Sequence, residues 1–445
     1  MTPSTATRQD PRPAGPGGRP STPADAVAAT TDLPRLVPAR LDTPLTSYYL
    51  VLGAGAALVM IGLVMVLSSS SVESYAHNGS AYTVFARQAV FAAVGMPMFL
   101  LAARMPIKAW TTLSWPLLFG AIALQMLVFT PLGVVVNDNR NWIGIGSFTM
   151  QPAEAGKLAL VVWSAAVLAR KRPLLQRPMH ALVPVLPGAA ALVSLVLLGR
   201  DLGTALVLIA LVGTVLFVAG APLRVLVTTG GLAAVLVVLL VIGSQNRMNR
   251  ISSWSAGGCA GQDYYTSCWQ IIHGKWALAT GGWWGVGLGA SREKWGLLPE
   301  AHNDFIFAVI GEELGLVGTL SVLGLFALLA VGLCRVVLRS DDVFVKVATG
   351  GVLTWVLGQA IINIGAVLGM LPVVGVPLPM VSSGGSALVM TMAALGMVTG
   401  FARREPGARE ALAARAGLVQ RSLAVLPVRR DGRREARPAG EGRRR

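Results

Sequence analysis

The residues with the most chemistry in this chain fall between Trp283 and Gly318, WWGVGLGASREKWGLLPEAHNDFIFAVIGEELGLVG. A glycine-rich loop carries Arg292, Glu293 and Lys294. Pro299-Glu300-Ala301-His302-Asn303-Asp304 then leads into an apolar helix that holds Glu312 and Glu313 in its first three turns. An acid where a polar loop meets a membrane span has two readings. A carboxylate just ahead of an apolar helix is a good N-cap and is favoured there by the helix dipole. The same carboxylate is placed to take a proton at the membrane surface as a general base. Asn303 is able to cap in its stead, which would free Asp304.

Other ionisable residues also fall where lipid should be, and such groups are functional candidates by default. Glu154 and Lys157 follow Gln151-Pro152 at a spacing of three, which lets them pair on one helix face. Arg200 and Asp201 form a short turn between apolar runs. Arg87 lies near a span's outer end, where snorkelling accounts for it. These charges gather at helix ends, with few at the midplane. A secondary transporter would place coupling charges at the midplane on interrupted helices of two repeats, and no internal repeat is visible. The pattern suits a site open to the outer leaflet. Two common chemistries lack support. The four histidines (His77, His180, His273 and His302) are scattered with no His-Glu-x-x-His, and Gly285-x-Gly287-x-Gly289 has no strand–loop–helix context for a nucleotide. Cys259 and Cys268 share one loop; an oxidising exterior permits a disulfide between them, and two free thiols are the alternative.

The elements that position these groups follow from composition. Hydrophobic residues make up 54% of the 445 and charged residues 13%, against roughly 25% charged in soluble domains. This excludes an ordinary soluble enzyme and indicates an all-α polytopic membrane protein. Net charge is +16, concentrated after Phe401 and mildly before Asp42. That fits tails beside an anionic leaflet better than nucleic-acid binding. Spans of about 20 apolar residues are expected at Tyr48–Ser68, Thr83–Ala103, Ala109–Leu132, Ala153–Leu168, Ala181–Leu198, Thr204–Ala221, Val225–Ile242, Asp304–Leu338, Val347–Leu368 and Ser386–Phe401. Arg104, Lys108, Arg170-Lys171-Arg172, Arg224, Arg335 and Arg339 then fall on one side with both tails, so ten helices with both termini cytoplasmic satisfy the positive-inside rule. Residues 1–43 lack hydrophobic periodicity and read as a disordered tail; 44–404 form the membrane domain, with a long outer loop at 243–303, and 405–445 form a basic tail. The outer loop carries Arg247, Arg250, Lys275, Arg292 and Lys294 against the charge rule. Long loops tolerate this; a site for an anionic head group is the other reading.

In order along roughly 41–404, the motifs resemble the SEDS (shape, elongation, division, sporulation) polytopic glycosyltransferases. They are Ile61–Ser69 (IGLVMVLSS), Arg87-Gln88, Asn139–Ile143 (NRNWI), Gln151-Pro152-Ala153-Glu154 with Lys157, and Asp201-Leu202-Gly203-Thr204. Lys294, Leu298–Phe307 (LPEAHNDFIF) and Glu312–Gly315 follow, then Asn363-Ile364-Gly365, Leu371-Pro372 and Leu378-Pro379 through Ser383–Ser386. The amino-terminal tail, Val-Met-Val-Leu-Ser-Ser and Pro-Glu-Ala-His favour the division-type branch over the elongation-type. Ser383 stands where the family usually has Tyr, Arg200 where it has Pro, and Asn303 where Thr is common.

The resemblance implies polymerisation of lipid II into glycan strands at the outer face of the bacterial cytoplasmic membrane, at the division septum. Asp304 would be the general base that deprotonates the acceptor's sugar 4-hydroxyl for in-line, inverting attack. Arg140, Lys157, Arg247, Arg250 and Lys294 would stabilise the pyrophosphate; Glu154, Asp201, Glu312 and Glu313, with Ser383 and Ser386, would support them. No soluble cofactor is implied. A divalent cation such as Mg2+ or Mn2+ is left open, with no dedicated oxygen cage in the sequence. The implied partners are lipid II, polyprenyl-linked glycan, a class B penicillin-binding protein transpeptidase and other divisome proteins, with no nucleic acid. A lipid II flippase and a non-catalytic divisome scaffold are the competing readings.

Overall fold

A computed structural model describes Thr43 and residues 45–136, 139–146, 148–255, 268–408 and 410–411. The expected tails at 1–43 and 405–445 lie outside the described residues, apart from Thr43, 405–408 and 410–411. Twelve α-helices are described: α1 Thr46–Asn78, α2 Thr83–Arg104, α3 Ile107–Met126, α4 Pro152–Arg170, α5 Pro178–Leu198, α6 Leu202–Val218, α7 Leu223–Ile242, α8 Gln245–Ser255, α9 Trp269–Gly281, α10 Ile306–Arg339, α11 Val343–Val367 and α12 Gly385–Ala402. Eight helices are long and apolar enough to cross a membrane, and Val185–Leu198 and Leu202–Val218 are shorter apolar helices. All ten expected spans are therefore helical.

Local chemistry sets several of the boundaries. Pro152 and Pro178 open α4 and α5 at positions where the missing N–H costs no helical hydrogen bond. Asp201 caps α6 through the Thr204 N–H, and Asp342 caps α11 through the Phe344 N–H. Gly79 closes α1 with a left-handed φ of 68°. The interior is built on α4 and α12, buried almost throughout, and on α11, buried over about two thirds of its span, whereas hardly any of α7 is buried.

Three features differ from the sequence expectation. The outer segment 133–150 holds a three-stranded antiparallel sheet, β1 Gly133–Val136, β2 Asn139–Ile145 and β3 Phe148–Met150. Gly133 pairs with Ile143, and Ile143 with Met150; its Val-rich run is short and bounded by turns, so it pairs locally instead of extending α3. The described residues of the long loop after α7 carry α8 and α9. The expected span Asp304–Leu338 starts instead at Ile306 and breaks at Gly315, whose φ of 66° and ψ of −162° are non-helical. Asp304 thus sits in a turn ahead of the span.

Candidate active site

The turn before α10 is built around Glu300, which adopts a left-handed φ of 58°. Its carbonyl accepts from the N–H groups of Asn303 at 3.0 Å and Phe305 at 3.2 Å. The carbonyls of residues 302 to 304 are each held from outside. His302 O accepts from the Ser383 N–H at 3.0 Å, Asn303 O from the Ser382 hydroxyl at 2.7 Å, and Asp304 O from the Asn363 amide at 2.8 Å. Asn363 Nδ2 also donates to Val376 O at 2.8 Å, and the Ser382 hydroxyl accepts from Leu378 N–H at 2.8 Å. The 373–385 segment and α11 therefore clamp the main chain on both sides of Asp304.

Its side chain is left free. The cap position of α10 is Phe305, with no side-chain cap bond, and the Asn303 amide donates to Glu300 at 3.3 Å. Neither capping reading is met: among the described residues no hydrogen bond or ion pair engages the Asp304 carboxylate. That carboxylate lines a small recess with Phe305, Ile362, Asn363, Val373 and Gly375. A Cβ on Gly375 would lie 3.6 Å from Asp304 Oδ2. Asp304 keeps partial exposure, yet protein crowding raises its carboxyl to about 7. The Glu300 carboxylate adds to the rise, Arg250 opposes it, Asp201 adds a little more and His302 opposes.

His302 lies 3.2 Å from Glu73 near the end of α1. The distance is that of an ion pair, without the alignment of a good hydrogen bond. Burial works against a charged imidazole, but Glu73, with Glu300 and Asp304, outweighs it and holds His302 above its ordinary value.

Of the five expected phosphate ligands, only Arg250 is brought to this recess. It lies on α8, exposed, and donates to Val373 O at 3.2 Å on the recess wall. Arg140 donates to Thr130 O at 3.1 Å, and Arg247 to Leu240 O at 2.9 Å and Arg200 O at 3.2 Å; neither lines the recess. Lys157 and Lys294 are buried and already engaged within the protein. Lys157 is 1% exposed, bound to Glu154 at 2.8 Å and Gln359 at 3.0 Å, and lies over the Trp355 ring. Lys294 is 5% exposed and is spent on Gly289 O at 2.6 Å, Glu313 at 3.2 Å and Ser68 O at 3.3 Å.

The expected supporting acids are structural ties. Glu312 accepts from the Ser291 hydroxyl at 2.5 Å and the Arg292 N–H at 2.9 Å, and Glu313 from the Ser68 hydroxyl at 2.6 Å. Both pin the 283–294 loop to α10. Asp201 accepts from the Thr204 hydroxyl at 2.7 Å and the Gln151 amide at 2.8 Å, and the Gln151 N–H donates to the Ser386 hydroxyl at 3.1 Å. Ser383 acts through its main chain, so serine in place of the usual tyrosine leaves that bond intact. Cys268 is buried at the start of α9; Cys259 lies outside the described residues. Among the described residues no three His, Cys, Asp or Glu side chains converge on a metal-sized site. Sequence reasoning missed Ser382, Gln151, Gln359 and the role of Asn363. Gln151, Asn363 and Ser382 lie inside recognised motifs, but a search led by charge passes over the roles of neutral amides and hydroxyls.

Fold and site together define a multi-pass membrane protein with a carboxylate recess among the ends of its helices. Residues 48–406 match the family model described as cell cycle protein, which groups FtsW, RodA and SpoVE; the chain belongs to this SEDS family. It is 37% identical over 375 residues to the probable peptidoglycan glycosyltransferase FtsW of Mycobacterium tuberculosis, covering 84% of this chain and 71% of that protein. Stage V sporulation protein E of Bacillus subtilis is 35% identical over 78% of this chain and 94% of its own. A chain in a solved structure on coordination of polymerization and crosslinking by a peptidoglycan synthase complex superposes with a TM-score of 0.64 at 28% identity, over 79% of this chain and 96% of that one. RodA of Thermus thermophilus gives 0.59 at 29%, over 80% and 97%.

Proposed function

We propose that this chain is a peptidoglycan glycosyltransferase that polymerises lipid II at the outer face of the cytoplasmic membrane during division, with Asp304 as general base. Its relatives' activity supports the reaction class. One observation carries the residue: Asp304 is the unspent acid of the site, while Glu154, Asp201, Glu312 and Glu313 are committed to neighbours. A carboxyl raised to about 7 is matched to taking a proton near neutral pH. Asp304 accepts the proton of the acceptor's 4-hydroxyl as its oxygen attacks the donor's anomeric carbon. The bond to the pyrophosphate oxygen breaks on the opposite face with inversion, and the lipid pyrophosphate leaves with the electron pair. Arg250 is the cation placed to meet that charge.

A class B penicillin-binding protein is the proposed partner, and the experiment includes it. Polymerisation of lipid II by purified protein with this partner is compared for the wild type and Asp304→Ala, with matched melting temperatures. Polymer from the wild type and none from the folded variant is expected. Equal polymer from both would remove Asp304 from the chemistry, and none from either would favour the flippase or scaffold.

A further inference from the structure

Among the exposed tryptophans of the outer loop, Trp276 and Trp295 stand singly and Trp283 and Trp284 form an adjacent pair. Trp254 donates its indole N–H to Gly369 O and Trp269 donates to Leu297 O, so both are tied to protein. Trp283 and Trp284 are 70% and 82% exposed, and among the described residues neither indole N–H has an acceptor. The main chain beneath them is rigidly held. Leu316 N–H donates to Gly282 O at 2.9 Å and Val317 N–H to Trp283 O at 3.3 Å, while Val286 and Gly287 N–H groups donate to the Glu312 and Glu313 carbonyls. The pair is thus fixed against the broken point of α10. Directly beyond it runs an exposed apolar row on α10, Leu316, Leu320 and Leu323, spaced along one helix face and suited to lipid.

Helix lengths act as a ruler for depth. From Gly315 to Arg339, α10 rises about 36 Å at 1.5 Å per residue, against a hydrocarbon thickness of about 30 Å. An independent ruler agrees. Ser47 bonds Glu405 at the basic end and Ser68 bonds Glu313, and the α1 segment between them rises about 32 Å. Gly315, with Trp283 and Trp284 upon it, therefore sits at the outer lipid–water boundary. Indole is the side chain best suited to that layer, since its ring partitions into the apolar edge and its N–H meets carbonyls and water.

We propose that Trp283 and Trp284 are interfacial anchors that bind the head-group layer of the outer leaflet, continuing the lipid-facing surface of α10. They hold at that depth the loop whose Ser291 and Lys294 tie down Glu312 and Glu313, and so the helix that begins beside Asp304. The inference stands apart from the reaction assigned above.

The full-length protein, reconstituted in phosphatidylcholine–phosphatidylglycerol nanodiscs, provides the test. Emission from the Trp283→Phe/Trp284→Phe double variant is subtracted from that of the wild type, which isolates the pair from the other nine tryptophans of the 11. The difference emission should lose most of its intensity with lipids brominated near the carbonyls, less with bromine deep in the chains, and little with aqueous acrylamide. Strong acrylamide quenching without bromine quenching would overturn the proposal. So would a pair that stays water-exposed until a penicillin-binding protein is added, since the surface would then belong to a protein. The variant's melting temperature should match the wild type, because neither ring is packed.

Discussion

A carboxyl crowded by protein and flanked by Glu300 and Asp201 holds its proton more tightly than a free aspartate, which is why Asp304 rises from 3.8 to about 7. The sign of the linkage follows. With the folded value above the unfolded one, the protonated group stabilises the fold below about pH 4. That contribution is lost as pH rises from about 4 to about 7, and above this the ionised group destabilises the native state. Asp304→Asn should therefore melt at or above the wild-type temperature at pH 8 while losing about 10²-fold or more in polymerisation rate. Thermal unfolding and lipid II turnover at that pH check both halves. The wild-type rate should climb with pH through about 7 and then level, and a profile flat from pH 5 to 8 would remove the carboxylate as base. Asn363 and Ser382 belong to the same scale. Neither presents charge, but each holds a carbonyl of the Asp304 turn. Asn363→Ala and Ser382→Ala should lower kcat by up to about 10²-fold, because displacement of about 1 Å is that costly in an oriented site. KM should change less, as measured by initial rates over a range of lipid II concentrations.

At the level of elements, the glycine-rich loop and α10 approach main chain to main chain. A Cβ on Gly281 would lie 1.8 Å from Gly311 O, and one on Gly285 would lie 2.2 Å from Glu313 O. Gly287 also has a left-handed φ, of 104°, but open space around it. Gly281→Ala should thus cost about 3 kcal/mol or more through backbone displacement, and Gly287→Ala only about 1–2 kcal/mol of conformational strain. Denaturation in matched detergent would rank them; equal costs would mean the close approach is not what these glycines serve. The Pro-Glu-Ala-His-Asn-Asp turn was legible in the sequence because its charge sits beside an apolar run. The break at Gly315 was not. Glycine in an apolar helix is ordinary, and only the loop packed against it makes a non-helical ψ favourable.

Across the whole molecule, the buried Glu154–Lys157 pair shows why burial decides a charge's role. Lys157 is enclosed by Glu154, Gln359 and Trp355, from two different helices. Removing one partner strands a buried charge, costing about 3–5 kcal/mol, whereas replacing both with apolar groups costs much less. Lys157→Met should be strongly destabilised, and Glu154→Leu/Lys157→Met should recover much of the loss in thermal unfolding. No recovery would point to a role for Lys157 outside the pair.

Sequence alone determined the membrane class, the ten helical spans, the family and the acid at the head of α10, since hydropathy, charge placement and motif order are local properties of the chain. Only the tertiary structure decided which charges are spent and which is free. The sequence names Lys157, Lys294, Asp201, Glu312 and Glu313 as site candidates beside Asp304, but not which of them are already engaged. Hydrogen-bond partners brought together from distant segments engage those five, and among the described residues none engages the Asp304 carboxylate.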